Sequence, residues 1–159
     1  MRRLLRLGLL LAAALVVMPS TILVTPSAAQ APAACQPTRA DMLGPFYVAG
    51  APERSSTGSG LAVDGVVRST RECKTLQGAK LEWWSANTSG EYDDGHRATQ
   101  VTDSNGRFRY VTDLPGKYPG RPVHLHVKVS APGHRTLVTQ IYPKPSQNSI
   151  AFDFILQTD

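Results

Sequence analysis

The sequence of 159 residues lacks a long amphipathic helical pattern beyond residue 29 and has no internal repeat. Only 18% of its residues are charged, and 42% are hydrophobic. That balance lets the chain bury a core and excludes wholesale disorder. Thirteen glycines and twelve prolines favour short strands joined by turns over long helices. The length has room for one domain.

Acidic residues are missing from residues 1–29. This stretch has a positively charged start at 1–6, an apolar run at 7–18 and small residues at 27–29, which predicts a signal peptide cleaved after Ala29. The apolar run is shorter than the roughly 20 residues that span a bilayer, although an uncleaved anchor is the alternative. We expect a periplasmic or secreted protein with no stable membrane insertion after cleavage. The general secretory and twin-arginine routes both stay open.

The rest of the chain has no concentration of basic charge. Without Arg2, Arg3 and Arg6, 14 basic residues face 12 acidic ones, a net charge of +2. Nucleic-acid binding needs a dense basic face, so we expect no nucleic-acid partner.

Cysteine is scarce, with only Cys35 and Cys73 present. Since an exported protein meets an oxidising compartment, we expect these two to form a disulfide, the alternative being two free thiols. In the chain-entropy model, closing a loop of this length stabilises the fold by roughly 4 kcal/mol. The pair lacks the spacing of a cysteine-rich zinc site.

Residues 30–60 are rich in Ala, Pro, Ser and Gly and predict an extended N-terminal arm that lies on the domain. Residues 61–159 alternate β-branched and aromatic segments with turn signals. Seven short strands at this spacing indicate an antiparallel sandwich or barrel. The predicted strands are 61–68, 79–86, 98–102, 107–112, 123–130, 136–142 and 150–156.

One predicted strand carries two histidines two residues apart, His124 and His126. Side chains alternate along a strand, so both imidazoles face the same way, opposite to Leu125 and Val127. Two imidazoles on one strand face suit a shared metal ion. Two ordinary histidines on a polar face are the alternative, as is a zinc or copper site.

Several motifs recur in a fixed order along the chain and together resemble the intradiol ring-cleavage dioxygenase family, which comprises the non-haem Fe(III) catechol and protocatechuate dioxygenases. The stretches that carry the resemblance are Gly44-Pro45-Phe46-Tyr47, Trp84-x-x-Asn87-x-x-Gly90-x-Tyr92, Pro115-Gly116-x-Tyr118, Arg121-Pro122-x-His124-x-His126 and Thr139-Gln140-Ile141-Tyr142. The resemblance implies an all-β sandwich of the transthyretin (prealbumin) type with an N-terminal arm.

The resemblance also implies a ligand set of two tyrosinates and two histidines for Fe(III). Tyr92 matches the tyrosine that stays bound, and Tyr118 the one that leaves when substrate binds. His124 and His126 match the histidine pair. The residue types suit the ion, because Fe(III) is a hard acid that prefers anionic oxygen and lowers the pKa of a phenol that it binds.

Three further residues follow from the resemblance. Arg121 matches the arginine beside the substrate ring, where a permanent cation stabilises developing negative charge. Gln140 matches a polar residue near the site, and Tyr47, within the arm motif, is predicted with it to bind substrate. The implied reaction cleaves a catechol-type ring between its two hydroxyl-bearing carbons with O₂ and gives a muconate-type diacid.

The sequence departs from the familiar members of the family in three respects. Only five residues separate Tyr118 from His124, Gly120 stands where a tryptophan is often found, and the long helical dimerisation segment is missing. The small exported branch is therefore the better comparison, and the identity of the diol and the oligomeric state stay open. A metal-free transthyretin-like or adhesin-type binding module is the alternative to the enzyme.

Overall fold

The computed structural model describes residues 35–159, all of whose regular elements are β-strands. The predicted signal peptide and the start of the predicted arm lie outside the described residues. No helix in residues 35–159 is long and apolar enough to cross a membrane. The strands are β1 (Leu61–Ser69), β2 (Lys80–Ala86), β3 (Tyr92–Val101), β4 (Arg107–Thr112), β5 (Leu125–Ser130), β6 (Leu137–Ile141), β7 (Ser149–Ala151) and β8 (Phe154–Leu156).

The strands form two sheets, which confirms the predicted all-β sandwich. One sheet has the order β3-β2-β5-β6 and is antiparallel throughout. In the other, β1 pairs antiparallel with β4 and parallel with both β7 and β8. The predicted strand 150–156 is thus two short strands, and the second sheet is mixed. The break lies at Asp153, whose carboxylate accepts the hydrogen bond of the Val66 amide in place of a strand carbonyl.

The first sheet differs from its prediction at two strand ends beside the site. β3 begins at Tyr92 rather than at residue 98, and β5 begins at Leu125 rather than at residue 123. The pairing of β2 with β3 shifts register between Trp84 and Ala86, where β3 carries extra residues. Residues 93–96 contain no β-branched side chain, so the β pattern that marks strands does not reveal this part of β3.

The core lies between the two sheets and follows the expected alternation. Leu125, Val127 and Val129 point inward and are at most 1% exposed. Trp83 lies at the centre, stacks on Tyr110 at 4.5 Å between ring centroids, and donates its indole N–H to Gln100. Burying each such aromatic or aliphatic side chain contributes about 1.5–3 kcal/mol. His124 and His126 point to the opposite face of the sheet.

The arm crosses that opposite face from one edge of the first sheet to the other. At the β6 edge, Asp41 donates its amide to the Val138 carbonyl. At the β3 edge, the Thr99 amide donates to the Pro52 carbonyl and the Arg54 amide to the Thr99 carbonyl. Both exposed edges are therefore paired, which removes two sites of unwanted strand addition. Between the two anchors, residues 42–46 lie over the histidines.

The disulfide predicted from the cysteine count is present. Cys35 and Cys73 are bonded, with their Cα atoms 5.3 Å apart. The bond joins the beginning of the described arm to the loop after β1. It adds a covalent anchor to the backbone hydrogen bond that the Thr38 amide donates to the Ile155 carbonyl.

Candidate metal centre

Three of the four predicted ligand atoms converge on one point. The Nε2 atoms of His124 and His126 are 3.0 Å apart, and the Tyr92 hydroxyl oxygen lies 3.1 and 3.2 Å from them. Tyr92 opens β3, while His124 immediately precedes β5 and His126 lies within it. Strands β3 and β5, which lie on either side of β2, therefore bring the cluster together, although Tyr92 and His124 are 32 positions apart in sequence.

The spacing of these atoms fits a single metal ion. Ligand atoms about 2.1 Å from one ion and at right angles to each other lie about 3 Å apart, which is the separation of all three pairs. Among residues 35–159, no group of three or more His, Cys, Asp and Glu side chains could hold a metal. The cluster reaches three converging ligand atoms only when Tyr92 is counted, and phenolate oxygen suits Fe(III) better than Zn²⁺ or Cu²⁺.

Both histidine rings are held by contacts outside the cluster. His124 donates its Nδ1 proton to the Pro122 carbonyl oxygen at 2.7 Å, which leaves Nε2 free to bind a metal. His126 stacks on Trp84, with ring centroids 4.8 Å apart and planes 6° apart. Such supporting contacts fix ring orientation before a metal arrives.

Tyr118 lies on the same cavity but in the loop between β4 and β5. Its ring meets Tyr92 edge-on, with centroids 5.8 Å apart. In the described part of the chain, no hydrogen bond reaches its hydroxyl. The cavity has a volume of about 230 Å³. Its lining residues are Met42, Gly44, Pro45, Phe46, Tyr92, Tyr118, Arg121, His124, His126 and Gln140.

Asn87 joins the two turns that carry the tyrosines. Its carbonyl accepts the amides of Gly90 and Gly116 at 3.0 and 2.8 Å. Each glycine stands two residues before a tyrosine, and a Cβ on Gly90 would lie 2.2 Å from the Lys117 carbonyl oxygen. Gly90 also has a φ of +88°. Only glycines let the two turns pack backbone to backbone, so the repeated Gly-x-Tyr spacing is what brings Tyr92 and Tyr118 together.

Arg121 is oriented by a polar network behind the cavity. Its guanidinium donates to Gln140 Oε1 at 2.8 Å, and Gln140 donates to the Met42 carbonyl at 2.7 Å. The single hydroxyl proton of Tyr142 is shared between Asp41 Oδ2 at 2.8 Å and Gln140 Oε1 at 2.9 Å. The Nε atom of Arg121 is buried with no partner among the described residues. Because an unpaired buried donor costs free energy, a bound ligand that accepts a hydrogen bond from this N–H would be stabilised.

Tyr47 does not line the cavity, and this geometry gives no support to its predicted substrate contact. The arm turns at Pro45 and Phe46, so that Phe46 faces the cavity and Tyr47 faces the sheet. The Tyr47 hydroxyl donates to Glu82 at 3.0 Å and accepts from Lys128 at 2.8 Å. Its ring packs edge-on against Trp84, which in turn stacks on His126. Tyr47 therefore fastens the arm.

Sequence reasoning missed Phe46 as a cavity residue and Asn87 as the link between the tyrosine turns. Both lie inside motifs that the sequence analysis identified. The alternation along Gly44-Pro45-Phe46-Tyr47 allows either residue 46 or residue 47 to face inward, and only the position of the arm decides between them. For Asn87, the repeated Gly-x-Tyr spacing was the available signal.

Burial lowers the pKa of His126 and raises the pKa of Tyr92. The pKa of His126 falls from 6.5 to about 4, first because the ring is buried and second because His124 is close. The imidazole is therefore neutral and free to bind a metal at neutral pH. The pKa of Tyr92 is raised above 10.0 by burial and then by Tyr118. A cation is needed to convert this phenol to phenolate.

The lowered pKa of His126 predicts a pH dependence of the metal-free protein. The unfolded chain protonates this residue below about pH 6.5, and the folded protein does so only near pH 4, so stability falls as the pH drops between these values. A shift of this size corresponds to about 3 kcal/mol. Urea titration at several pH values should show the loss, and most of it should be absent in His126→Asn. The carboxylates with lowered pKa values act in a lower pH range.

An equal loss in the variant between pH 6.5 and 4 would contradict the assignment. The wild-type and variant curves are therefore compared over that window alone, where His126 titrates in the unfolded chain and Glu82, Asp93 and Asp113 contribute little.

Comparison with solved structures relates this fold to known dioxygenases. The dioxygenase domain of a dioxygenase and carbohydrate-binding fusion protein from Streptomyces sp. SirexAA-E is 34% identical, with a TM-score of 0.71. The match covers 78% of this chain and all of that domain. The chain belongs to the intradiol ring-cleavage dioxygenase family.

Curated relatives support the same family over a shorter span. Catechol 1,2-dioxygenase of Acinetobacter baylyi is 36% identical over 136 residues, which are 62% of this chain and 43% of that enzyme. Hydroxyquinol 1,2-dioxygenase of a Rhizobium species is 32% identical, over 64% of this chain and 46% of that enzyme. The chain thus spans less than half the length of these relatives. No model of a protein family matches the sequence.

Proposed function

We propose that the protein is an Fe(III) dioxygenase that cleaves a catechol-type ring between its two hydroxyl-bearing carbons and yields a muconate-type diacid. Both atoms of O₂ enter the product, so the reaction needs no other reductant. The observation that carries the proposal is the convergence of Tyr92, His124 and His126 within 3.2 Å, with Tyr118 and Arg121 on the same cavity.

The proposed ligands of Fe(III) are Tyr92, Tyr118, His124 and His126. When bound, the ion supplies a site that chelates the two diol oxygens and activates the ring toward O₂. The protein residues fix the geometry and move the protons. Tyr118 lies in a loop, and within residues 35–159 its side chain has edge-on ring contacts with Phe46 and Tyr92 and no hydrogen bond to its hydroxyl, which supports its role as the ligand that leaves. The phenolate oxygen of Tyr118 would accept one of the two substrate protons on leaving the ion, and the other would pass to hydroxide from solvent.

Arg121 and the apolar walls complete the proposed site. Arg121 holds a positive charge beside the ring at every working pH, and Gln140 fixes its direction. Met42, Pro45 and Phe46 come from the arm and exclude water from one side of the ring. A cavity of about 150 Å³ is enough for benzene, so 230 Å³ accommodates one aromatic ring with two hydroxyl groups.

Colour and metal analysis test the proposal against the alternatives. Protein loaded with Fe(III) should retain about one ion per chain and become reddish through charge transfer from tyrosinate. A metal-free binding module would stay colourless and retain no iron. If protein offered a mixture of Fe(III), Zn²⁺ and Cu²⁺ retains only zinc or copper, the iron assignment is wrong.

The charge of the cavity wall predicts a preference among diols. In the described part of the chain, Arg121 is the only charged residue that lines the cavity, and Gln140 already engages it. A ring carboxylate would therefore compete for Arg121 with the negative charge that develops on the diol ring, or lie without a partner, which costs about 1–3 kcal/mol or more. We expect a kcat/KM at least about tenfold higher for catechol than for protocatechuate, measured by oxygen uptake. Faster uptake with protocatechuate would show that a cation outside this wall reaches the substrate.

We also propose that the protein is exported. The support is the charge and hydrophobicity pattern of residues 1–29 together with the disulfide between Cys35 and Cys73. Mass spectrometry of protein recovered from outside the cytoplasm should find an N-terminus at Gln30. Recovery of the uncleaved chain in the membrane fraction would favour an anchor.

A further inference from the structure

Phe46 lies between the two tyrosines of the candidate centre and contacts them differently. Its ring stacks on Tyr92, with centroids 4.3 Å apart and planes 16° apart. It meets Tyr118 edge-on, with centroids 5.6 Å apart and planes 80° apart. A stacked ring cannot rotate about its side-chain bonds without losing most of its contact area. An edge contact allows its partner to swing away.

The backbone of Phe46 is fixed to the strand that begins with Tyr92. Its carbonyl accepts a hydrogen bond from the Arg97 guanidinium at 2.6 Å. Arg97 is 7% exposed, lies in β3, and receives two hydrogen bonds from Arg54 on its own carbonyl. The stack between Phe46 and Tyr92 is thus built within one rigid unit of arm and β3. Tyr118, in the loop after β4, is outside that unit.

We propose that Phe46 is a positioning residue that holds Tyr92 in place and leaves Tyr118 as the tyrosine that can leave the metal. The inference rests on the proposed function, since it explains which of two chemically alike ligands stays. Tyr92 and Tyr118 have the same phenol side chain, so residue type alone does not decide which of them stays on the metal. Besides their different places in strand and loop, they differ in the contact that Phe46 makes with each ring.

The first test needs no iron. Metal-free protein with labelled tyrosine rings is studied by NMR, and the signals are assigned with Tyr92→Phe and Tyr118→Phe. In the wild type, the Tyr92 ring should flip more slowly than the Tyr118 ring. In Phe46→Leu, which keeps an apolar wall but loses the stack, Tyr92 should flip roughly three- to tenfold faster, the factor that an aromatic pair implies.

Two further variants separate positioning from general destabilisation. Phe46→Tyr keeps a stackable ring and should restore slow flipping of Tyr92. Phe152→Leu removes a partly buried ring that packs on Phe154 elsewhere and should leave the Tyr92 rate unchanged. If Tyr92 flips as fast as Tyr118 in the wild type, or if Phe46→Leu changes neither rate, the proposal is overturned.

The second test follows the iron-loaded protein when catechol is added without oxygen. In the wild type, one tyrosinate contribution to the visible band should be lost and the other should remain. In Phe46→Leu with unchanged iron content, part of the remaining contribution should also be lost, because Tyr92 is no longer held. A wild type that retains no iron would refute the proposed function and leave the ring-flip result intact. A full retained band in Phe46→Leu would overturn the role of Phe46 alone.

Discussion

Replacing either His124 or His126 with alanine is expected to abolish the retention of Fe(III). Each imidazole places its Nε2 atom within 3.2 Å of the other two converging ligand atoms, so each variant removes one corner of the cluster. Loss of a residue that only supports a ligand lowers metal affinity by about 10- to 100-fold, and loss of a ligand should cost more. Iron content after gel filtration and the visible band should both fall to background.

The matched control is His134→Ala. His134 is also a partly buried imidazole held by two hydrogen bonds, to Pro132 and Ser69, but it lies outside the cluster. Its iron content should equal that of the wild type. Circular dichroism should show that all three variants remain folded, because the substitutions leave the two sheets, the arm and the Cys35–Cys73 disulfide in place. Stoichiometric, coloured iron in both His124→Ala and His126→Ala would refute the ligand assignment.

The shared face of these histidines could be predicted because side-chain alternation is a local rule. His124 and His126 are two residues apart, so any strand conformation puts them on one side. The same rule predicted the inward packing of Leu125 and Val127. It does not decide the direction of Tyr47, because alternation says that neighbours point apart but does not say which of them points inward. Only the path of the arm between its anchors on β6 and β3 decides that.

Long-range features, such as the approach of the two tyrosine turns, could be predicted from the family resemblance but not from the local sequence pattern. Nothing local in Gly90-Glu91-Tyr92 indicates that this turn packs against Pro115-Gly116, because the contact runs through the Asn87 carbonyl and two backbone amides. The sequence pattern also could not predict that the second sheet is mixed. A parallel pairing of β7 and β8 with β1 depends on how the chain end returns, and strand propensity carries no information about direction.

The position of the site follows from the local alternation of side chains together with the long-range path of the chain. The sheet supplies two of the proposed ligands at the beginning of β5 and one at the beginning of β3, and the arm supplies the wall that closes over them. The arm thus closes this cavity although the loop between Tyr118 and His124 is short.

Changing Arg121 to lysine is expected to reduce kcat/KM by at least about tenfold while leaving iron content unchanged. Lysine keeps the charge but lacks the planar group that donates to Gln140 and has a buried Nε–H with no partner among the described residues. A single charged contact in a site that excludes water contributes about 2–4 kcal/mol to transition-state stabilisation. Oxygen uptake with catechol, together with iron analysis of the same sample, measures the effect.

The control for this change is Arg135→Lys, which alters an exposed arginine whose side chain contacts Gln157. Its turnover should match that of the wild type. The loss in Arg121→Lys should appear in kcat more than in KM, because the cation acts on negative charge that develops in the ring after binding. A rise in KM with kcat unchanged would make Arg121 a residue for substrate affinity. Unchanged turnover would remove it from the mechanism and leave the four metal ligands as the whole of the proposed chemistry.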